Sequence, residues 1–92
     1  MSYSETWRVL AEARARKVIA RASRPERERL QAVLKEMEHD PFAGDVVRLH
    51  DQPAAFRRRV GDWRLFFDVY PDNQLVRVRL VERRTTTTYR RR

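Results

Sequence analysis

The stretch Phe56-Arg57-Arg58-Arg59-Val60-Gly61-Asp62-Trp63-Arg64-Leu65-Phe66-Phe67-Asp68-Val69-Tyr70 decides the fold. Two β-prone runs flank Gly61-Asp62, and a glycine in the first central position is what a two-residue type II′ hairpin turn requires. With Val60 opposite Trp63, the register continues as Arg59 with Arg64, Arg58 with Leu65, Arg57 with Phe66 and Phe56 with Phe67. Side chains alternate across a strand, so Phe56, Val60, Trp63, Leu65, Phe67 and Val69 share an apolar face, and Arg57, Arg59, Arg64 and Phe66 share the other. Arg58 breaks this pattern, because alternation puts it on the apolar face. It is expected to be structural, either snorkelling at the sheet edge or pairing with a helix carboxylate.

Working outward toward the C-terminus, Pro71-Asp72-Asn73 reads as a turn, and Leu75 to Arg83 alternates again. Val76, Val78 and Leu80 suit the inward face, which turns Arg77, Arg79 and Arg83 outward. One sheet face is then expected to gather six arginines from three strands around Phe66, with Asp68 as the only nearby acid. Like charges directly opposite each other destabilise a sheet, so Arg59 facing Arg64 is a cost that an anionic ligand relieves.

Toward the N-terminus, Asp51 and Pro53 mark a loop over 42–55 with room for a short strand around Val46–Leu49. Before it, Leu30, Val33, Leu34 and Met37 follow the i, i+3, i+4, i+7 spacing of an amphipathic helix that Asp40-Pro41 ends. Ser23-Arg24-Pro25-Glu26 offers a capping box at the start of that helix, with either Ser23 or Arg24 as the N-cap. Ala11, Ala15, Val18, Ile19 and Ala22 mark an earlier helix. Trp7 and Val9, alternating with Arg8, predict a first strand over Thr6–Leu10. The simplest result is an α+β domain spanning residues 1–92, with two antiparallel helices on a mainly antiparallel sheet.

The charge is as uneven as the pattern. The chain of 92 residues has a formal charge of +8, from 21 Lys+Arg against 13 Asp+Glu. Residues 1–55 hold ten basic and nine acidic side chains, whereas 56–92 hold eleven arginines against Asp62, Asp68, Asp72 and Glu82. Nineteen of the basic residues are arginine, whose planar fork suits phosphate and stacks on bases, so the C-terminal half reads as a surface for RNA. With no cysteine, thiolate catalysis, disulfides and Cys-based zinc sites are excluded. His39 and His50 lack ligand spacing, so no metal or other cofactor is expected. No apolar leader or membrane-length apolar run is found, and a cytoplasmic location is expected.

The segment FRRRVGDWRLFFDVY, followed by LVRVRLVERRTTTTYR, resembles the C-terminal half of RelE/ParE-superfamily toxins of bacterial type II toxin–antitoxin pairs. Its most specific part is Arg59-Val60-Gly61-Asp62-Trp63-Arg64, where the family shows a basic residue, a tight turn, an aromatic and an arginine. The helical hairpin ending in Asp40-Pro41-Phe42 agrees, and the resemblance implies the family's β-α-α-β-β-β plan over nearly the whole chain.

The resemblance also implies a function. RelE-type members cleave messenger RNA in the ribosomal A site, and ParE-type members poison DNA gyrase. The RelE branch uses basic residues on the central strands, an arginine near the end of the last strand and a tyrosine near the C-terminus. Matching positions here are Arg57, Arg59, Arg64, Arg83 or Arg84, and Tyr89. The implied reaction is attack of a ribose 2′-hydroxyl on the adjacent phosphate, without a metal. Arg57, Arg59 and Arg64 would stabilise the phosphorane, and Tyr89 would act as general base or stack on a base. Positions 57 and 59 are lysine in RelE and arginine here, and arginine stays charged. Arg77, Arg79, Arg84, Arg90 and Phe66 would grip RNA. The expected partners are the ribosome with its message and an acidic antitoxin in a hetero-oligomer. The alternatives are a gyrase poison or a non-catalytic relative that binds nucleic acid or antitoxin.

Overall fold

At the hairpin turn Gly61 takes a φ of 58°, and Asp62 is not among the residues with positive φ. Positive φ at the first central residue alone is the type II′ pattern, which matches the twist of the flanking strands. The computed structural model, which describes residues 6–52 and 54–84, orders the chain as β1 (Arg8–Ala11), α1 (Ala13–Arg21), α2 (Arg24–Met37), β2 (Asp45–Arg48), β3 (Phe56–Val60), β4 (Trp63–Tyr70) and β5 (Leu75–Arg83). The β3–β4 register is Val60 with Trp63 through Phe56 with Phe67, as the turn dictates. Pro71–Asn73 forms a 3₁₀ turn into β5.

The five strands form one sheet in the order β1-β5-β4-β3-β2. β1 runs parallel to β5, and every other pairing is antiparallel. The segment expected around Val46–Leu49 pairs with β3 as β2 and adds an edge strand to the predicted plan. Backbone bonds from Arg8 N–H to the Gln74 carbonyl and from Glu12 N–H to the Val78 carbonyl, both 2.9 Å, hold β1 against β5.

Both helices cover one face of this sheet. Ser23, not Arg24, is the N-cap of α2: its side chain accepts the Glu26 N–H at 3.3 Å. The return half of the box is a 3.2 Å bond from the Ser23 hydroxyl to the Glu26 carboxylate. Ala15 and Ile19 of α1, with Leu30, Val33 and Met37 of α2, pack on Trp63, Leu65 and Phe67 of β4 and on Val76, Val78 and Val81 of β5. Phe42 packs edge-on to Phe56 at 5.0 Å, and Phe56 stacks on Phe67 at 5.6 Å, which closes the core toward β3.

The strict alternation predicted for β5 fails at one residue. Phe66 pairs with Leu80 but Phe67 pairs with Val78, so Arg79 is an extra residue on β5, a β-bulge. Beyond it the alternation changes phase. Val81 is buried in the core where Leu80 was expected, and Leu80 turns to the opposite face.

Arg58 keeps its place on the helix-covered face, only 8 % exposed, and its Nη2 reaches the Glu36 carboxylate of α2 at 2.7 Å. Of the two expected arrangements, the ion pair with a helix carboxylate forms. Gly44 makes room for it: its φ is +82°, and a Cβ there would lie 2.8 Å from the Arg58 guanidinium. Gly44→Ala is therefore expected to lower unfolding stability by about 1–3 kcal/mol, from backbone strain plus displacement of a buried cation from its partner. A urea titration checks this, with a lower midpoint and an unchanged slope as the outcome.

Candidate functional site

The face of the sheet opposite α1 and α2 gathers the candidate residues. β3 contributes Arg57 and Arg59, β4 contributes Arg64, Phe66 and Asp68, and β5 contributes Arg77 and the bulged Arg79. Cross-strand partners share a face, so the register sets Val47, Arg57, Phe66 and Leu80 in one row and Asp45, Arg59, Arg64 and Glu82 in the next.

Arg83 does not join them. The bulge shifts it to the helix-covered side, where it pairs with Trp63, holds its guanidinium 5.6 Å from the indole centroid and reaches Glu26 of α2 at 3.0 Å. The expected set of six arginines on the open face is therefore five, and the physical cause is the single extra residue at position 79. Alternation past the bulge returns Arg84 to the side of Glu82, and the Arg84 N–H bonds the Asp62 carbonyl at 2.6 Å, tying the end of β5 to the hairpin turn.

The open face is also less one-signed than expected. Asp68 was the only predicted acid, but Glu12, Asp45 and Glu82 lie there as well. Asp45 of β2 draws Arg59 to 3.4 Å, which relieves the Arg59–Arg64 repulsion without any ligand. Glu12, at the junction of β1 and α1, sits 2.5 Å from Arg77 and 3.7 Å from Arg79. Asp68 accepts from Arg79 at 2.9 Å and from the Ala55 N–H at 2.7 Å. The Arg79–Asp68 hydrogen bond, aided by the charges of Asp68 and Glu12, holds the Arg79 guanidinium above the usual arginine range.

Arg57 and Arg64 stand apart from this pairing. Each is half-buried, each has a buried Nε without a hydrogen-bond acceptor, and neither forms an ion pair among the described residues. A desolvated donor left without an acceptor is costly, so the two guanidiniums are poised for an anion. Neither arginine lines the adjoining cleft, but their cross-strand partners do: Phe66 and Glu82 border a cleft of about 330 Å³ with Phe66 and Leu80 as an apolar floor and Arg14, Arg79, Glu12 and Gln52 around it. It offers an aromatic surface next to two available cations, a combination suited to a base and its phosphate. Tyr89 and Arg90, predicted for catalysis and RNA binding, lie outside the described residues.

Three acids were not expected on this face. Glu82 reaches it through the bulge, and the other two come from elements distant along the chain. Glu12 reaches Arg77 only because β1 pairs with β5, and Asp45 reaches Arg59 only because the loop segment pairs as β2. One signal does mark the bulge: Leu80-Val81 is an apolar doublet inside an otherwise alternating run.

No protein-family model matches the sequence, and no curated protein is similar to it in sequence. Similarity appears in structure. The chain superposes on the archaeal RelE-RelB complex from Pyrococcus horikoshii with a TM-score of 0.77 at 20% identity, covering 86% of this chain and 96% of that one. The toxin–antitoxin complex RelBE2 from Mycobacterium tuberculosis gives 0.70 at 18% identity, over 86% and 92%. The isolated RelE toxin from E. coli gives 0.69 at 22% identity, over 86% and 85%. The fold of this chain is the RelE fold, as the sequence resemblance implied.

The contrast between committed and available arginines is measurable. Arg57→Ala and Arg64→Ala are each expected to reduce the slope of log affinity against log salt for single-stranded RNA by about 0.7, the loss of one phosphate contact. Arg83→Ala is expected to leave that slope unchanged and instead to cost about 1 kcal/mol of stability through its lost contacts with Trp63 and Glu26. Fluorescence anisotropy across a salt series, alongside thermal melts, separates the two outcomes.

Proposed function

We propose that this chain is the toxin of a type II toxin–antitoxin pair, acting in the cytoplasm as a ribosome-dependent messenger-RNA endonuclease. The observation that carries the reading is the pair Arg57 and Arg64, available on the open face of a RelE fold beside Phe66 and its cleft. In this reading a ribose 2′-hydroxyl attacks the adjacent phosphate and the 5′-oxygen departs, leaving a 2′,3′-cyclic phosphate and a free 5′-hydroxyl without a metal. Arg57 and Arg64 meet the charge that builds on the phosphorane, with Arg59 supporting them, and fixed guanidiniums serve this role without reorganising. The position of Arg84 beside the turn supports it over Arg83 as the arginine at the end of the last strand. Tyr89 acts as base or stacking partner, while Arg77, Arg79 and Arg90 bind RNA.

The partner in this reading is an acidic antitoxin. The P. horikoshii structure is a RelE-RelB complex, and the M. tuberculosis structure is a toxin–antitoxin complex. Among the described residues β1 leaves one edge unpaired, beside a groove with Val9, Leu10, Ile19 and Leu34 within and Arg16 and Arg27 around it. A chain that brings apolar side chains and carboxylates together suits such a groove.

A second reading has its own support. Arg59, Arg77 and Arg79 already hold carboxylates, which lowers the number of cations free for RNA and favours a gyrase poison or a non-catalytic binding relative. Purified chain added to programmed ribosomes is expected to cut within A-site codons, and Arg64→Ala to slow the cut at least about 100-fold. Tyr89→Phe is expected to slow it as well. Intact message under every condition, with trapped cleavage complexes in a gyrase supercoiling assay, would replace the first reading with the second.

A further inference from the structure

The charges on the open face leave one carboxylate uncommitted. Asp45 holds Arg59, Asp68 holds Arg79 and the Ala55 N–H, and Glu12 holds Arg77. The Glu82 side chain forms no ion pair or hydrogen bond among the described residues, although it sits directly across the ladder from Arg64. It is exposed and borders the cleft floored by Phe66 and Leu80. An uncommitted carboxylate and an uncommitted guanidinium therefore lie on neighbouring strands at paired positions, which puts their Cβ atoms about 4.5–5.5 Å apart.

The reaction proposed above needs a group to take the 2′-hydroxyl proton. The guanidiniums of Arg57, Arg59 and Arg64 cannot take it because they stay charged. A carboxylate can, and in that role it leaves Tyr89 as the stacking partner. Resting on that reading, the geometry points to Glu82 as the general base for the cut. A phosphate held by Arg64 and Arg57 places its nucleoside over Phe66, with the ribose toward Glu82. The carboxylate takes the proton from the 2′-hydroxyl as O2′ bonds to phosphorus. The bond from phosphorus to O5′ breaks, and O5′ takes a proton from solvent water. Glu82 then returns its proton to solvent, so the protein ends the cycle unchanged.

The isosteric substitution Glu82→Gln removes the base and keeps the shape, at an exposed position where folding is not at stake. Single-turnover cleavage on programmed ribosomes, measured across toxin concentration, separates rate from binding. The expected result for Glu82→Gln is a maximal rate lower by about 100-fold or more, with an unchanged half-saturating concentration. Glu82→Asp is expected to recover part of that rate. Wild-type speed in Glu82→Gln while Arg64→Ala is slow would overturn the assignment and leave the nuclease reading standing. A weaker half-saturation with an unchanged maximal rate would also overturn it, making Glu82 a binding group. No cleavage by the wild-type chain would remove the nuclease reading and this assignment with it.

Discussion

The faces that the side chains of β3 and β4 take follow from where the chain reverses between Val60 and Trp63. A two-residue turn admits one pairing, and a slip by one residue would exchange the faces of a whole strand. Gly61, at φ 58°, supplies the conformation that holds this register. It sends Phe56, Val60, Leu65 and Phe67 toward the helices and leaves Arg57, Arg59 and Arg64 on the other side. The exception, Arg58, is accommodated at a distance by Glu36 and by the absence of a side chain at Gly44. The turn is thus both the fold's register mark and the device that sorts its arginines.

The bulge at Arg79 acts as a second sorting device. Without it β5 would present Arg77, Arg79 and Arg83 together, and Leu80 would go into the core. With it Arg83 leaves for Trp63 and Glu26, Val81 fills the core, and Leu80 joins Phe66 as the floor of the cleft. One extra residue therefore converts a row of like charges into an apolar floor bordered by polar groups. Bulges near functional sites re-aim side chains in this way.

Most of the fold was legible because it rests on local signals. The Gly61-Asp62 turn, the Ser23 cap, the helical spacing of Leu30, Val33 and Met37 and the stop at Asp40-Pro41 each act within a few residues, and each appears where expected. The site was legible in part. Arg57, Arg59, Arg64 and Phe66 follow from the hairpin register alone. Arg83 does not, because its face depends on a bulge whose only mark is the Leu80-Val81 doublet. Glu12 and Asp45 escaped because they meet arginines across strand pairings between distant parts of the chain. Local pattern sets which face a side chain takes, whereas its partner is set by topology.

That division explains why the open face is a balanced array and not a uniform basic sheet. Five guanidiniums on adjacent strands repel each other, and the folded state must offset this before any ligand arrives. Asp45, Glu12 and Asp68 do so for Arg59, Arg77 and Arg79. These pairs are partly exposed, so each adds little stability, but together they fix where the cations stand. Such neutralisation has a limit if the surface is to bind an anion, because a guanidinium held by a carboxylate must give it up first. Arg57 and Arg64 mark that limit: they stand in consecutive rows against Phe66 and Glu82, and no carboxylate among the described residues holds them. In a protein so rich in arginine, the chemically informative residues are therefore those whose charge the fold leaves unanswered.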